Sequence, residues 1–239
     1  MAVETKTGFF LDTSDPGLIA KWKSVTRGVT TNPVILAKAG VVDIPSRILE
    51  ICQIVGPGVP ISVEIPDTSM QETEMVEMGH SLQALFPDNA VIKVPLTPEP
   101  KPFNVISRLN GHNILTNATL GLTFMQLALA AEAGATYISM FWGRVSESHD
   151  KYNQGPEPEV LLEATLSFLL KQGLNSKVIV GSVRTPDQIT RAFSLGAHVV
   201  TVPPEKLDQS FQNTRLSETI TEFDHAFKST KNTPGFKLI

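Results

Sequence analysis

Short apolar runs of β-like composition recur along the chain, and segments long enough for helices separate them. Eight runs fit this description: GFFLDT, GVTTN, PISVEI, AVIKVP, NILTNAT, TYISMF, KVIVGS and HVVTVP. Between them, residues 122–134 and 158–173 show helical spacing of apolar side chains, and each segment ends at a glycine, as helices often do. In a third segment, TPDQITRAFSLG, Thr185 is the expected N-cap and Pro186 the first helical residue.

This alternation of strand and helix predicts an α/β fold, a closed (β/α)8 TIM barrel with an extra C-terminal helix. An open doubly wound sheet is the alternative, but the glycine-rich dinucleotide turn of that fold is missing. The rhythm continues across both proline-rich loops, so we expect one domain over residues 1–239. An amphipathic segment within residues 214–230 comes after the helical segment that follows the eighth run, so it does not belong to a β/α unit. We expect it to pack on another surface.

The composition of the chain limits the kinds of partner that it is expected to bind. The chain has 239 residues, 41% of them apolar and 18% charged, and its net charge of −4 gives no basic field for nucleic acid or an anionic membrane. No apolar stretch approaches the roughly 18 residues of a membrane span, and the first residues lack a signal-peptide pattern, so we expect a cytoplasmic protein with small ligands. The single cysteine, Cys52, lies in an apolar helical pattern and is expected in the core.

One lysine interrupts the apolar strand VIKV at its centre. Burying the charged amine of Lys93 costs several kcal/mol unless it is paired, so it needs either a structural partner or a chemical use. Burial disfavours the ammonium form, and a neutral amine can attack a carbonyl carbon to form a Schiff base.

A lysine that faces a barrel lumen should have polar companions at period two near the strand ends, where barrels carry their chemistry. Such companions are Asp12, Ser62, Glu64, Asn117, Thr119, Ser139 and Ser182, and the second strand leads into Thr30 and Asn32. The pattern predicts an active site in which two carboxylates divide acid and base roles. The alternative is that Lys93 merely forms a buried ion pair with Glu64 or Asp12.

Two arginines, Arg144 and Arg184, follow the sixth and seventh strands. The arginine fork matches phosphate, and many barrels bind phosphate near their last strands, although solvated surface arginines are the alternative. The histidines are scattered and form no close ligand pair, so we expect no metal: they are His80, His112, His149, His198 and His225.

Five strings in order along the chain resemble the transaldolase family in its short, single-barrel form, which includes the fructose 6-phosphate aldolases. They are GVTTNPVIL, VIKVPLT, TNATL, AGATYISMFWGR and GSVRTP. The resemblance runs from FLDT at the first strand into the C-terminal helix. It implies an enzyme with no metal or organic cofactor.

The resemblance also implies roles for individual residues. Lys93 would form the Schiff base, Asp12 would be the general acid/base, and Glu64 with Thr119 would hold a water for proton transfers. Three residues would bind the dihydroxyacetone unit and three the phosphate: Asn32, Asn117 and Ser139, then Arg144, Ser182 and Arg184. Thr30 matches a family position and is expected to support the turn.

Two positions favour the transferase branch, because the aldolase branch carries Gln in place of Glu64 and Tyr in place of Phe141. The resemblance thus implies transfer of a dihydroxyacetone unit from sedoheptulose 7-phosphate or fructose 6-phosphate to an aldose phosphate, as in the pentose phosphate pathway. An aldolase that releases free dihydroxyacetone and a non-catalytic sugar-phosphate-binding barrel are the alternatives.

Two further expectations follow from the resemblance. In short transaldolases the C-terminal helix reaches a neighbouring subunit and the barrels assemble as rings. We therefore expect the helix of residues 214–230 to pack on a neighbouring subunit, and a homo-oligomer with a decamer of two pentamers favoured. The segment after Arg144, VSESHDKYNQGPEPE, departs from the common family pattern and is interpreted as a loop that alters the mouth for the acceptor.

Overall fold

The structure is a computed structural model that describes residues 5–230. Each expected apolar run forms a strand. In order, β1 to β8 span Gly8–Asp12, Gly28–Thr30, Ile61–Glu64, Ala90–Pro95, Thr116–Gly121, Tyr137–Phe141, Lys177–Gly181 and Val199–Val202.

All eight strands are parallel and each pairs with its neighbour in sequence, so the sheet is a closed barrel. Closure comes from β1 and β8, where Phe10 lies opposite Thr201. In the third and fourth strands, Glu64 lies opposite Lys93, which in turn lies opposite Asn117 of β5. The predicted (β/α)8 barrel is therefore confirmed.

Helices follow the strands along the chain. In order, α1 to α11 span Pro16–Trp22, Pro33–Lys38, Ile44–Val55, Glu72–Leu85, Lys101–Gly111, Phe124–Glu132, Trp142–Tyr152, Pro158–Gln172, Pro186–Ser194, Pro204–Ser210 and Thr214–Thr230.

Several helices begin with a polar cap followed by proline. Asp15, Asn32, Asp43 and Thr185 each accept a hydrogen bond from a backbone N–H of the first turn, and proline stands in the first turn of each of these four helices. The fixed φ of proline and the side-chain acceptor satisfy the open end of the helix locally. The predicted cap at Thr185 is confirmed.

Buried apolar side chains among residues 5–230 form two clusters. The larger one fills the layer between strands and helices, and Cys52 packs against it. The smaller one lies inside the lumen and consists of Phe10, Val91, Tyr137, Ile179 and Val199, with Leu115 against it. A Cβ at Gly28 would lie 2.6 Å from the Phe10 ring, so glycine on β2 makes room for this lumen side chain.

The segment after Arg144, which we interpreted from the sequence as a loop, has a different structure. The chain after Arg144 continues as α7 to Tyr152 and is not a loop. Only Trp142, Gly143 and Val145 of this helix are buried, so its polar sequence shows no sustained apolar period.

The last helix, α11, exposes four large apolar side chains: Leu216, Ile220, Phe223 and Phe227. They recur at spacings of four, three and four along one helical face. Among residues 5–230, no helix combines the length and the apolar composition that crossing a membrane requires.

Candidate active site

A polar layer lies directly above the apolar lumen cluster. Moving two residues along a strand leads from Phe10 to Asp12, from Val91 to Lys93 and from Val199 to Thr201. Because side chains alternate along a strand, these polar groups face the same lumen at the carboxyl ends of the strands. This end of the barrel is where (β/α)8 enzymes place their chemistry.

Lys93 stands at the centre of this layer with only 3% of its surface exposed. Its Nζ lies 3.3 Å from Glu64 Oε2 and donates a hydrogen bond to the carbonyl oxygen of Thr31 at 3.0 Å. The ion pair that we considered as the structural alternative does form. Glu64 contacts the Lys93 amine on one side, and Lys93 also lines an open cavity.

Both carboxyls near Lys93 resist ionisation. Burial raises the pKa of Glu64, and the nearby Lys93 charge opposes this shift without cancelling it. Burial also raises the pKa of Asp12, against the opposing effects of Lys93 and a hydrogen bond from Thr30. Each carboxyl can therefore hold a proton at a pH where an exposed carboxyl would be ionised.

A chain of hydroxyls fixes Asp12. Thr30 Oγ1 lies 2.6 Å from Asp12 Oδ1 and 2.6 Å from Thr201 Oγ1. When Asp12 is ionised it only accepts, so Thr30 donates to Asp12 and Thr201 donates to Thr30. Thr30 thus contacts the carboxyl directly, beyond the turn-supporting role that the sequence suggested.

A second chain crosses the opposite wall. Ser139 Oγ donates to Asn117 Oδ1 at 2.7 Å, and Asn117 Nδ2 donates to Ser62 Oγ at 3.0 Å. These bonds hold the orientation of the fully buried Asn117 amide. The Thr119 hydroxyl is also buried and makes no hydrogen bond within residues 5–230. Thr119 is not among the described residues that line the cavity containing Lys93.

The open cavity above Lys93 has a volume of about 610 Å³, room enough for a sugar phosphate. Asp12, Glu64, Asn32 and Phe141 line it with Lys93. The side-chain oxygen of Asn32 caps α2 through the Ile35 N–H at 2.9 Å, which leaves its amide N–H groups for a ligand.

Ser182 reaches the cavity by a different route from the expected one. The strand β7 ends at Gly181, and the lumen phase of this strand is that of Ile179 and Gly181, so the prediction that Ser182 follows the period of two is wrong. Its backbone is left-handed, with φ of 56°, and this turn aims Ser182 into the cavity. Strained non-glycine backbone of this kind is concentrated at functional sites.

The two arginines meet at one carboxylate. Arg144 Nη1 lies 3.3 Å from Glu147 Oε2, and Arg184 Nη2 lies 2.6 Å from Glu147 Oε1. Arg144 also lines the cavity, whereas Arg184 is not among the described residues that do. Hydrogen bonding from Arg184 lowers the pKa of Glu147, so this group is ionised at neutral pH.

A family model described as transaldolase/fructose-6-phosphate aldolase matches residues 9–235 of the chain. The chain belongs to this family.

Relatives agree with that assignment. A probable transaldolase of an Exiguobacterium species is 36% identical over 217 residues, which cover 90% of this chain and 94% of the relative. A probable transaldolase of Clostridium tetani is 35% identical over 224 residues, covering 92% of this chain and 98% of the relative. The chain is therefore an enzyme of the transaldolase type.

The structure corrects the expectation that the histidines of this family member lie apart. His112 Nδ1 lies 2.8 Å from His80 Nε2, because α4 and α5 pack side by side. Within residues 5–230, however, no group of three or more His, Cys, Asp or Glu side chains is placed to hold a metal ion.

Three residues around the transaldolase-type site were missed in the sequence. Thr201 interrupts an apolar strand just as Lys93 does, so the same signal would have found it. Lys38 ends α2 and lines the cavity, and Glu147 follows Arg144 by three residues on α7. Lys38 and Glu147 both lie on helices, outside the alternating pattern of the strands, so no signal in the sequence distinguished them.

Proposed function

We propose that this enzyme transfers a dihydroxyacetone unit from a ketose phosphate to an aldose phosphate through a Schiff base on Lys93. The observation that carries the proposal is the position of the Lys93 amine, buried between the Glu64 carboxyl and an open cavity. Sedoheptulose 7-phosphate or fructose 6-phosphate would be the donor, within the pentose phosphate pathway. The printed names of the relatives, probable transaldolase, support the same reaction class.

The first step is attack of the neutral Lys93 amine on the C2 carbonyl of the donor, with loss of water to form the Schiff base. The raised pKa of Glu64 supports this step, because a carboxyl that retains a proton can donate it to the departing oxygen. Thr119, with its buried hydroxyl available, would hold the water on which Glu64 acts.

The second step breaks the bond between C3 and C4. Asp12 takes the proton from the C4 hydroxyl, the C4 carbon leaves as an aldehyde, and the bonding electrons enter the iminium to give an enamine on Lys93. The enamine then attacks the aldehyde carbon of the acceptor, and Asp12 returns its proton to the new hydroxyl. Water finally hydrolyses the Schiff base.

The other polar groups would bind and orient the sugar. Asn32, Asn117 and Ser139 would hydrogen-bond the dihydroxyacetone unit, and Arg144, Ser182 and Arg184 would bind the phosphate. The support is geometric, since Ser139, Arg144 and Ser182 line the cavity that contains Lys93.

Borohydride reduction in the presence of fructose 6-phosphate tests the mechanism. Mass spectrometry should find a stable adduct on Lys93, and EDTA should leave turnover unchanged. An adduct on another lysine, no adduct under turnover conditions, or activity that EDTA removes and zinc restores would each refute the proposal. Assays with donor plus acceptor and with donor alone separate transfer from the release of free dihydroxyacetone.

We also propose that the enzyme is a homo-oligomer, with a decamer of two pentamers favoured. The exposed apolar side chains of α11 support this, because burying them against a neighbour would remove them from water. Light scattering of the full chain should report a multiple of the 26.0 kDa subunit. A monomer would contradict the proposal.

A further inference from the structure

Glu147 places a single negative charge between the two arginines of the proposed phosphate site. Its carboxylate gives one oxygen to Arg144 and the other to Arg184. The Glu147 side chain is 25% exposed, against 64% for Arg144 and 49% for Arg184. The carboxylate is thus the most enclosed member of the trio, and both guanidinium groups converge on it.

The contact with Arg184 depends on a glycine. A Cβ at Gly143 would lie 2.6 Å from Arg184 Nε and 2.7 Å from the carbonyl oxygen of Ser182. A side chain at position 143 would therefore displace the Arg184 guanidinium from its present position and would also meet the Ser182 carbonyl. The backbone N–H of Arg184 is also held, by Gln188 Oε1 at 2.7 Å.

A carboxylate and a phosphate monoester compete for the same donors. Both accept charge-assisted hydrogen bonds from the arginine fork, and the phosphate carries up to two negative charges against one. While Glu147 holds Arg184, this arginine does not join the described residues that line the cavity, whereas Arg144 does. A phosphate that binds Arg144 Nη1 and Arg184 Nη2 has to displace Glu147 from these two groups.

We propose that Glu147 is a specificity-determining residue that acts as an internal anion, occupying the arginine pair until a phosphorylated sugar displaces it from Arg184. The proposal rests on the proposed function, because it takes Arg144 and Arg184 as the phosphate ligands. Its consequence is that the unliganded site is partly neutralised. Singly charged anions then gain little by binding, and a phosphate dianion gains enough to displace the carboxylate.

The test is Glu147→Gln, which keeps the shape of the side chain and removes its charge. Inorganic phosphate is the probe, measured by calorimetry and as a competitive inhibitor of fructose 6-phosphate turnover. Removing one partly exposed competing charge should tighten phosphate binding about twofold to fivefold. Unchanged or weaker binding would overturn the proposal and make Glu147 a residue that merely holds the arginines in place.

Two controls separate the possible failures. Glu159→Gln removes an equally charged group that lies 3.9 Å from Arg191, and it should leave phosphate affinity unchanged. Arg184→Ala and Arg144→Ala in the otherwise native chain should each weaken phosphate binding. If neither does, the proposed phosphate site itself fails; if both do and Glu147→Gln does not tighten binding, only the role of Glu147 fails.

A second variant covers the case in which Glu147→Gln does not fold. Glu147→Asp keeps the charge but shortens the side chain by one methylene, so it should release Arg184 and also tighten phosphate binding, by less than the Gln variant. Phosphate affinity equal to or below that of the wild type in this variant would likewise overturn the proposal.

Discussion

Two adjacent layers of the same lumen have opposite chemistry. The lower layer, made by Phe10, Val91, Tyr137, Ile179 and Val199, is apolar and buried. Its one polar end is satisfied, since the Tyr137 hydroxyl bonds to the backbone N–H and carbonyl of Lys6 at 2.7 and 3.0 Å.

The upper layer lies two residues further along the strands and carries Asp12, Lys93, Asn117, Ser139 and Thr201. Burial that stabilises the lower layer raises the energy of every charge in the upper one. In this barrel, the side chains that stabilise the lumen and the side chains proposed for catalysis therefore lie only two residues apart along the same strands. Substitutions in the two layers should therefore affect different measurements.

The largest expected effect is on turnover when the buried ion pair is replaced by neutral groups. Lys93→Met combined with Glu64→Gln should lower kcat/KM by roughly three powers of ten or more, because the covalent route is removed. Stability should stay equal or rise, since neutral replacements of a buried ion pair are often neutral or stabilising. Turnover and thermal unfolding of the same variant measure both effects.

Glu64→Gln alone is the matched control for that variant. It retains the nucleophile and should keep far more activity than the double variant. Comparable losses in the two would mean that Lys93 is not the reacting group.

The next effect concerns pH and the buried carboxyl of Asp12. Asp12→Asn should lower turnover roughly 10²- to 10⁴-fold, the range for a general acid or base. Burial raises the pKa of Asp12 above its ordinary value of 3.8, so its contribution to stability is present below that value and is lost as pH rises through the raised pKa. The variant should therefore gain stability over the wild type as pH rises above 3.8 and through the raised pKa of Asp12.

Asp43→Asn is the control of opposite sign. Asp43 is an exposed cap of α3 whose pKa is lowered by hydrogen bonds from Ser46, so its contribution is present above 3.8 and is lost on acidification. This variant should lose stability relative to the wild type as pH rises. Urea unfolding midpoints across pH decide the matter, and parallel curves for wild type and Asp12→Asn would show that the Asp12 carboxyl is not destabilised by burial.

A substitution in the lower layer should lower the free energy of unfolding and leave turnover largely unchanged. Phe10→Ala removes a ring with 1% exposure that packs edge-on against Tyr137 at 5.9 Å between centroids. It should cost about 3–5 kcal/mol of unfolding free energy through lost burial and a cavity. Turnover per folded molecule should change only severalfold; a large catalytic loss at unchanged stability would contradict the separation of the layers.

The smallest expected effect is a change of ratio at the rim of the upper layer. Phe141 lines the cavity and offers no proton to the enamine. Phe141→Tyr adds a hydroxyl that can donate a proton or orient a water, so it should raise the release of free dihydroxyacetone severalfold relative to transfer. If Phe141 only packs, both rates should fall together, and a ratio equal to that of the wild type would remove it as a partition residue.

The sequence by itself determined the barrel and most of the polar layer. Strand period and helix caps are local properties, so the apolar runs and caps such as Thr185 could be recognised without long-range contacts. The same period placed Asp12, Lys93, Asn117 and Ser139 on the lumen side. It would also have found Thr201, whose single hydroxyl in an apolar strand was overlooked.

Only the tertiary structure decided the contacts that depend on how separate elements pack. The left-handed backbone of Ser182, the approach of His80 to His112 and the bridge from Glu147 to Arg184 each depend on a turn geometry or on packing between elements distant in sequence. Local periodicity carries no information about such distances, because closing the barrel and packing its helices set them. The sequence therefore indicated which side chains face the lumen, and the closed barrel decided which of them contact each other.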